Sequence, residues 1–234
     1  MLRLRSGKCP WSLRATSVIL AAVLAPAALA QGASEAHDPR HFSCTENGLA
    51  ESKAFGCQLI ARTAIARPAR GPLFWHVTEF PTSEAAEAAK APSDVVASAE
   101  GRVWLLSFGP ERATPRQGRH RASVGPLSLG SAESFTVESY YVVMPAGTHT
   151  RVHTHPGPEA WYILAGEQCL EMPGRVLKAR VGETRASMVA PPDTPMRLSN
   201  SGRTARRALF IVVHDSAQPW SAPSDWKPSG ACEW

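Results

Sequence analysis

Two imidazoles and a carboxylate fall close together in the run Gly147 to Gly166, GTHTRVHTHPGPEAWYILAG: His153, His155 and Glu159. Two neutral imidazoles and one carboxylate make the facial ligand set of non-haem iron sites, which leaves positions open for water, substrate or oxygen. The surrounding residues read as β-strand, where side chains of the same parity share a face. All three residues are odd-numbered, so they converge if the chain keeps that parity across Pro156 to Pro158. Trp161 and Ile163 then point the same way. A metal held there would sit in a mostly apolar pocket, suited to a hydrophobic or aromatic small molecule.

This spacing resembles the first motif of the cupin superfamily: Gly, five residues, His-x-His, three or four residues, Glu, six residues, Gly. Gly147, His153, His155, Glu159 and Gly166 fit every position. The second cupin motif, Pro-x-Gly-x-x-His-x-x-x-Asn, corresponds to Pro191 to Asn200, PPDTPMRLSN. Pro191 and Asn200 match there, Asp193 stands for the Gly, and Met196 stands for the His that would be a fourth ligand. The spacer from Gly182 to Pro191 is three residues longer than the common five. The resemblance covers roughly the last two thirds of the chain and speaks to fold before activity. It implies an all-β fold, a cupin-type jelly-roll β-barrel, with one divalent metal ion: iron, manganese, zinc or copper.

Met196 decides how such a metal behaves, and three readings stand. It does not bind, leaving a three-ligand site with Met196 in the pocket wall. It binds copper, since a thioether is a soft ligand. Or another histidine replaces the missing one, with His149, His214 and His76 as candidates. Taken singly, these three and His120 read as surface or hydrogen-bonded polar residues, Glu167 as a turn residue, and Asn200 as a cap on backbone groups. The bland alternative is a metal-free barrel whose imidazoles only hydrogen-bond inside it. Against that, a buried Glu159 beside His153 is costly unless compensated, and a metal compensates it.

The elements that must position these residues follow from the rest of the chain. Residues 1–30 read as a secretory signal peptide: a basic start, an apolar run from Ala15 to Ala30, and Ala28-Leu29-Ala30 before Gln31. The apolar run is too short and too interrupted by Pro26 to span a membrane. The segment carries four of the 25 basic residues and none of the 20 acidic ones, leaving 21 basic against 20 acidic. The basic pI is thus largely a property of the leader, and nucleic-acid binding, which needs a basic stripe, is not expected. Cys44, Cys57, Cys169 and Cys232 remain, an even number that suggests disulfides in an exported chain. We expect Cys44–Cys57, closing a short loop worth about 3 kcal/mol in the loop-entropy model, and Cys169–Cys232, pinning the tail. Cys169 as a metal ligand is the competing reading.

Residues 31–70 show no sustained periodicity and read as an extended arm held by its cysteines. Residues 71–234 read as a single barrel. Strands are expected at Leu73–Phe80, Arg102–Phe108, Ser134–Met144, Val152–His155, Glu159–Leu164, Glu167–Glu171, Arg175–Arg180, Thr184–Val189, Met196–Ser199 and Ala205–His214. One short peripheral helix is expected at Thr82–Lys90, started by Pro81 and Thr82 and stopped by Pro92. The tail holds Trp220, Trp226 and Trp234 among prolines, rings expected to pack over the outside of the barrel.

Three classes of function fit: an exported metal-dependent enzyme such as a small-molecule dioxygenase, a periplasmic or secreted binding protein for a small ligand or metal, or a relict barrel used for assembly. The resemblance also allows a homodimer paired through sheet faces.

Overall fold

Ser134–Met144, SFTVESYYVVM, is apolar on both parities, as a strand must be when both faces of its sheet are covered. Phe135 and Val137 enter one apolar core, and Tyr140, Val142 and Met144 enter another. The computed structural model describes residues 40–42, 44, 55–68, 71–113, 117–181 and 187–233. The expected leader, Gly182 and residues 184–186 lie outside them. Residues His37–Trp234 cluster as one unit.

In chain order the strands are β1 (Gly56–Ala66), β2 (Leu73–Phe80), β3 (Val95–Ala99), β4 (Arg102–Gly109), β5 (Arg119–Leu127), β6 (Ser134–Met144), β7 (His153–Thr154), β8 (Glu159–Ala165), β9 (Glu167–Met172), β10 (Arg175–Arg180), β11 (Ser187–Ala190), β12 (Arg197–Ser199), β13 (Arg206–Asp215) and β14 (Ala222–Pro223). The single helix of the described residues is α1 (Ser83–Ala89). The central sheet runs β1-β6-β13-β8-β11, with a four-stranded sheet β3-β4-β2-β5, a three-stranded sheet β10-β9-β12 and the pair β14-β7. All strand pairs are antiparallel.

The central sheet is the middle layer. From β13, Leu209, Ile211 and Val213 meet Trp75, Val77, Trp104 and Leu106 of the four-stranded sheet in the first core. The alternate residues Ala208, Phe210 and Val212 face the second core with Trp161, Leu170, Met172 and Leu198. Parity along one strand thus sorts side chains between two cores.

Two expectations change. The arm at residues 31–70 is not an arm throughout: residues 56–66 form β1 at the edge of the central sheet. Its alternation is broken by a register shift between Leu59 and Ala61, which hid the period from the sequence. Residues 71–234 are not all barrel either. β2 to β5 form a separate sheet inserted between β1 and β6, folded back onto the outer face of the sheet they interrupt. The insertion closes at its base, where the Arg67 amide donates to the Glu133 carbonyl at 3.4 Å. The helix is one residue shorter at each end than expected. Thr82 is its N-cap, accepting from the Ala85 amide at 3.2 Å, and Ala86 packs on Phe80 and Leu105.

Cys44–Cys57 and Cys169–Cys232 are both bonded, with Cα separations of 5.0 and 5.6 Å. Cys169 is therefore not a metal ligand. The second bond fastens the C-terminal tail to β9, and Glu171 reinforces it by accepting from Ser229 Oγ at 2.8 Å and from the Ala231 amide at 3.1 Å. No helix of the described residues is long and apolar enough to cross a membrane.

Candidate metal centre

β7 and β8 are joined by Pro156-Gly157-Pro158, a turn held hard against β13. The Val213 amide donates to the Pro158 carbonyl at 3.0 Å, and a Cβ at Gly157 would lie 1.6 Å from the Val213 carbonyl oxygen. Only glycine fits that approach. On the other side the Asp193 amide donates to the His155 carbonyl at 2.7 Å. Asp193, where the cupin motif carries Gly, has φ 52°, the left-handed region that Asp tolerates. So pinned, the turn brings the ligand atoms of His153, His155 and Glu159 within 4.8 Å of one another.

The ring tautomers follow from their partners. His153 Nδ1 lies 2.8 Å from the Arg151 carbonyl, and His155 Nδ1 lies 2.5 Å from the Trp220 carbonyl. A carbonyl only accepts, so each Nδ1 carries the proton and each neutral ring turns an Nε2 lone pair away from that bond. This is the outer-shell arrangement that orients metal-binding histidines. His155 Nε2 then faces Glu159 Oε2 at 2.9 Å, and neither atom meets hydrogen-bond geometry. Two buried lone pairs at that distance repel unless a proton or a cation sits between them. Bonds of about 2.0–2.1 Å at right angles to one metal place two ligand atoms about 2.9 Å apart. The donor set therefore fits a divalent ion, and the three residues can hold one.

Titration behaviour agrees. Burial opposes charge on His155, but the Glu159 carboxylate and the Trp220 carbonyl outweigh it and raise the pKa above 6.5. Burial lowers His153 below 6.5, with Glu159 pulling against it. These neighbours favour a second proton on the His155 ring, in the place an incoming cation would take.

The ligands open into a cavity of about 180 Å³ that Trp161 also lines. That is small beside roughly 300–1,000 Å³ for drug-sized ligand sites, room for a small molecule only. Ile163 and Met196 are not on its wall; both pack within the second core. Ile163 sits opposite Ala208 of β13. Met196 is locked opposite His153 by two backbone hydrogen bonds of 2.9 and 3.1 Å. His76, His120, His149 and His214 do not join the cluster. Asn200 bridges backbone, donating to the Met144 and Thr204 carbonyls at 2.9 Å and accepting from the Gly202 amide.

Sequence reasoning missed four parts of this wall. Trp220 is not outside the barrel: its ring stacks on Tyr140 at 5.8 Å and leans on His155 at 5.3 Å. His41 and Phe42 line the cavity from the segment read as an arm. Arg206 lines it from β13, on the same parity as Ala208 and Phe210, and that parity was the available signal.

Scans against protein-family models and against curated proteins find no match. Solved structures do match. A cupin-like protein from Thermotoga maritima aligns at TM-score 0.33 and 17% identity, over 38% of this chain and 64% of its own. The DMSP lyase DddQ from Ruegeria pomeroyi aligns at 0.33 and 23%, over 39% and 45%. An RmlC-like cupin family protein with a double-stranded β-helix fold from Methanocaldococcus jannaschii aligns at 0.29 and 17%, over 32% and 67%. The chain thus spans less than two thirds of the first two. The fold is thus a set of antiparallel β-sheets with a four-stranded sheet inserted between two strands of the central one, and the run from Gly147 to Gly166 resembles the first cupin motif.

Proposed function

We propose that the protein binds one divalent transition-metal ion through His153, His155 and Glu159 and uses it on a small molecule held in the adjoining cavity. The observation that carries this reading is the convergence of the ligand atoms of His153, His155 and Glu159 within 4.8 Å of one another. A bound metal would act as a Lewis acid toward a ligand oxygen or as a site for oxygen chemistry. The residues around it orient the imidazoles, exclude water and shape an apolar wall. We place the protein outside the cytoplasm, a reading supported by its two disulfides and its leader-like first 30 residues.

The test is elemental analysis of protein purified without chelators, beside a His153→Ala/His155→Ala variant. Near-stoichiometric iron, manganese, zinc or copper that disappears in the variant is the expected result. Protein that stays empty after reloading with each metal sinks the reading. Turnover separates the two remaining classes: a ligand recovered unchanged marks a binding protein, and a converted one marks an enzyme.

A further inference from the structure

Arg206 opens β13 and is fully buried, yet it lines the same cavity as Glu159. Its Nη1 touches only Met144 Sδ, at 3.6 Å, while Nε and Nη2 meet no acceptor. Among the described residues no carboxylate lies within 4.0 Å of it. A guanidinium carries five N–H donors in a planar fork, and leaving them unmet away from water is costly. Burial pushes its pKa down to about 9, with Glu159 acting in the opposite sense, so it keeps its charge at neutral pH.

Charge in the cavity gives the sign of what it lacks. Of the buried charges on its wall, Glu159 and Arg206 cancel, Arg151 being exposed, and with an ion on Nε2 both imidazoles are neutral, each keeping its proton on Nδ1. Glu138, the next buried carboxylate, is already paired with Arg62 at 2.9 Å. A divalent ion on the three ligands therefore leaves two positive charges in excess inside a wall that includes Phe42, Val142, Trp161, Leu198 and Phe210. Buried charge persists only when compensated. The guanidinium fork matches a carboxylate with two parallel hydrogen bonds.

We infer that the cavity takes a small carboxylate with an apolar body, its carboxylate on Arg206 and its hydrocarbon against the aromatic wall. The inference rests on the metal reading for the excess charge but not for the Arg206 contact, which stands without the ion. Phosphate shares the negative charge, but it offers no apolar surface and more oxygens than one guanidinium satisfies.

Calorimetric titration tests it on zinc-reloaded and on chelator-treated protein, with benzoate, its uncharged isostere benzamide, and inorganic phosphate. Benzoate should bind at least about tenfold more tightly than benzamide. Arg206→Met should erase that preference while zinc stoichiometry stays unchanged. Arg206→Lys, which keeps the charge and loses the fork, should retain part of it. A collapsed site would lose zinc as well as benzoate, so the preference ratio in zinc-competent protein is the decisive readout. Equal binding of benzoate and benzamide, or an Arg206-dependent preference for phosphate over benzoate, overturns the inference. If zinc never binds but the benzoate preference survives in wild type and vanishes in Arg206→Met, the inference stands and the metal reading falls.

Discussion

The Nδ1 hydrogen bonds of His153 and His155 end on the carbonyls of Arg151 and Trp220, one two residues away and the other 65. The near partner belongs to the motif; the far one arrives only when the tail folds over β7, where Ala222 pairs with Thr154. This contrast marks what was legible at the residue scale. The ligands were readable because type, spacing and strand parity all act locally. Trp220 was not, since no local pattern links a tail tryptophan to a histidine. Arg206 was hidden differently: a charge in an apolar run reads as an exposed position until both faces of the strand are known to be buried. Gly157 carries the tightest constraint here. Gly157→Ala forces the turn off Val213 and should cost about 1–3 kcal/mol, as overpacking does, together with the metal site. Urea denaturation and zinc titration read both effects; a variant within about 0.5 kcal/mol of wild type would mean the turn relaxes freely.

At the scale of elements, β2, β6 and β10 fall where alternation and turn residues place them. β3 and β5 escaped. VVASA is short and small, and RHRASVGPL is basic at one end with a proline inside, so neither shows a hydrophobic period. Their sheet holds a buried histidine outside the cluster of His153, His155 and Glu159. His76 Nε2 lies 3.0 Å from the Pro110 carbonyl and so donates, leaving Nδ1 to accept from Ser123 Oγ at 2.9 Å. Ser123 Oγ in turn lies 3.1 Å from His120 Nε2. Burial lowers the His76 pKa below 6.5, with the Pro110 bond opposing it, and burial lowers His120 too. The unfolded chain therefore binds these protons more readily than the folded one. Their contribution to stability is complete above 6.5 and is lost as pH falls below it toward the depressed folded values. Urea midpoints should fall between about pH 7.5 and about pH 5.5, and less steeply in His76→Gln. An equal slope in the variant would remove His76 as a source.

For the whole molecule, the barrel strands could be read in order, but not the insertion. A strand that leaves a sheet at Ala66 and a return at Ser134 look like any other loop until pairing is known, because pairing is non-local. The cost of that topology is shared stability. Ile211, Val213 and Trp104 are each fully buried at the junction of two sheets, and a side chain of that size contributes about 1.5–3 kcal/mol when buried. The second core holds the site and the first core braces it.

The two disulfides turn this geometry into a sequence in time. Cys44–Cys57 fastens the segment that brings His41 and Phe42 to the cavity, and Cys169–Cys232 fastens the tail that brings Trp220 to His155. Until both bonds close, the ligands exist but their surroundings are unfinished. If the proposed metal site is used, a chain that meets metal ions before oxidation would meet them with these surroundings unfinished. On the proposed function, cross-linking would come first and loading second. Cys169→Ser/Cys232→Ser protein should bind zinc about 10- to 100-fold more weakly, the usual cost of losing a partner that orients a ligand. Equal affinity would show that the tail takes its place without the bond.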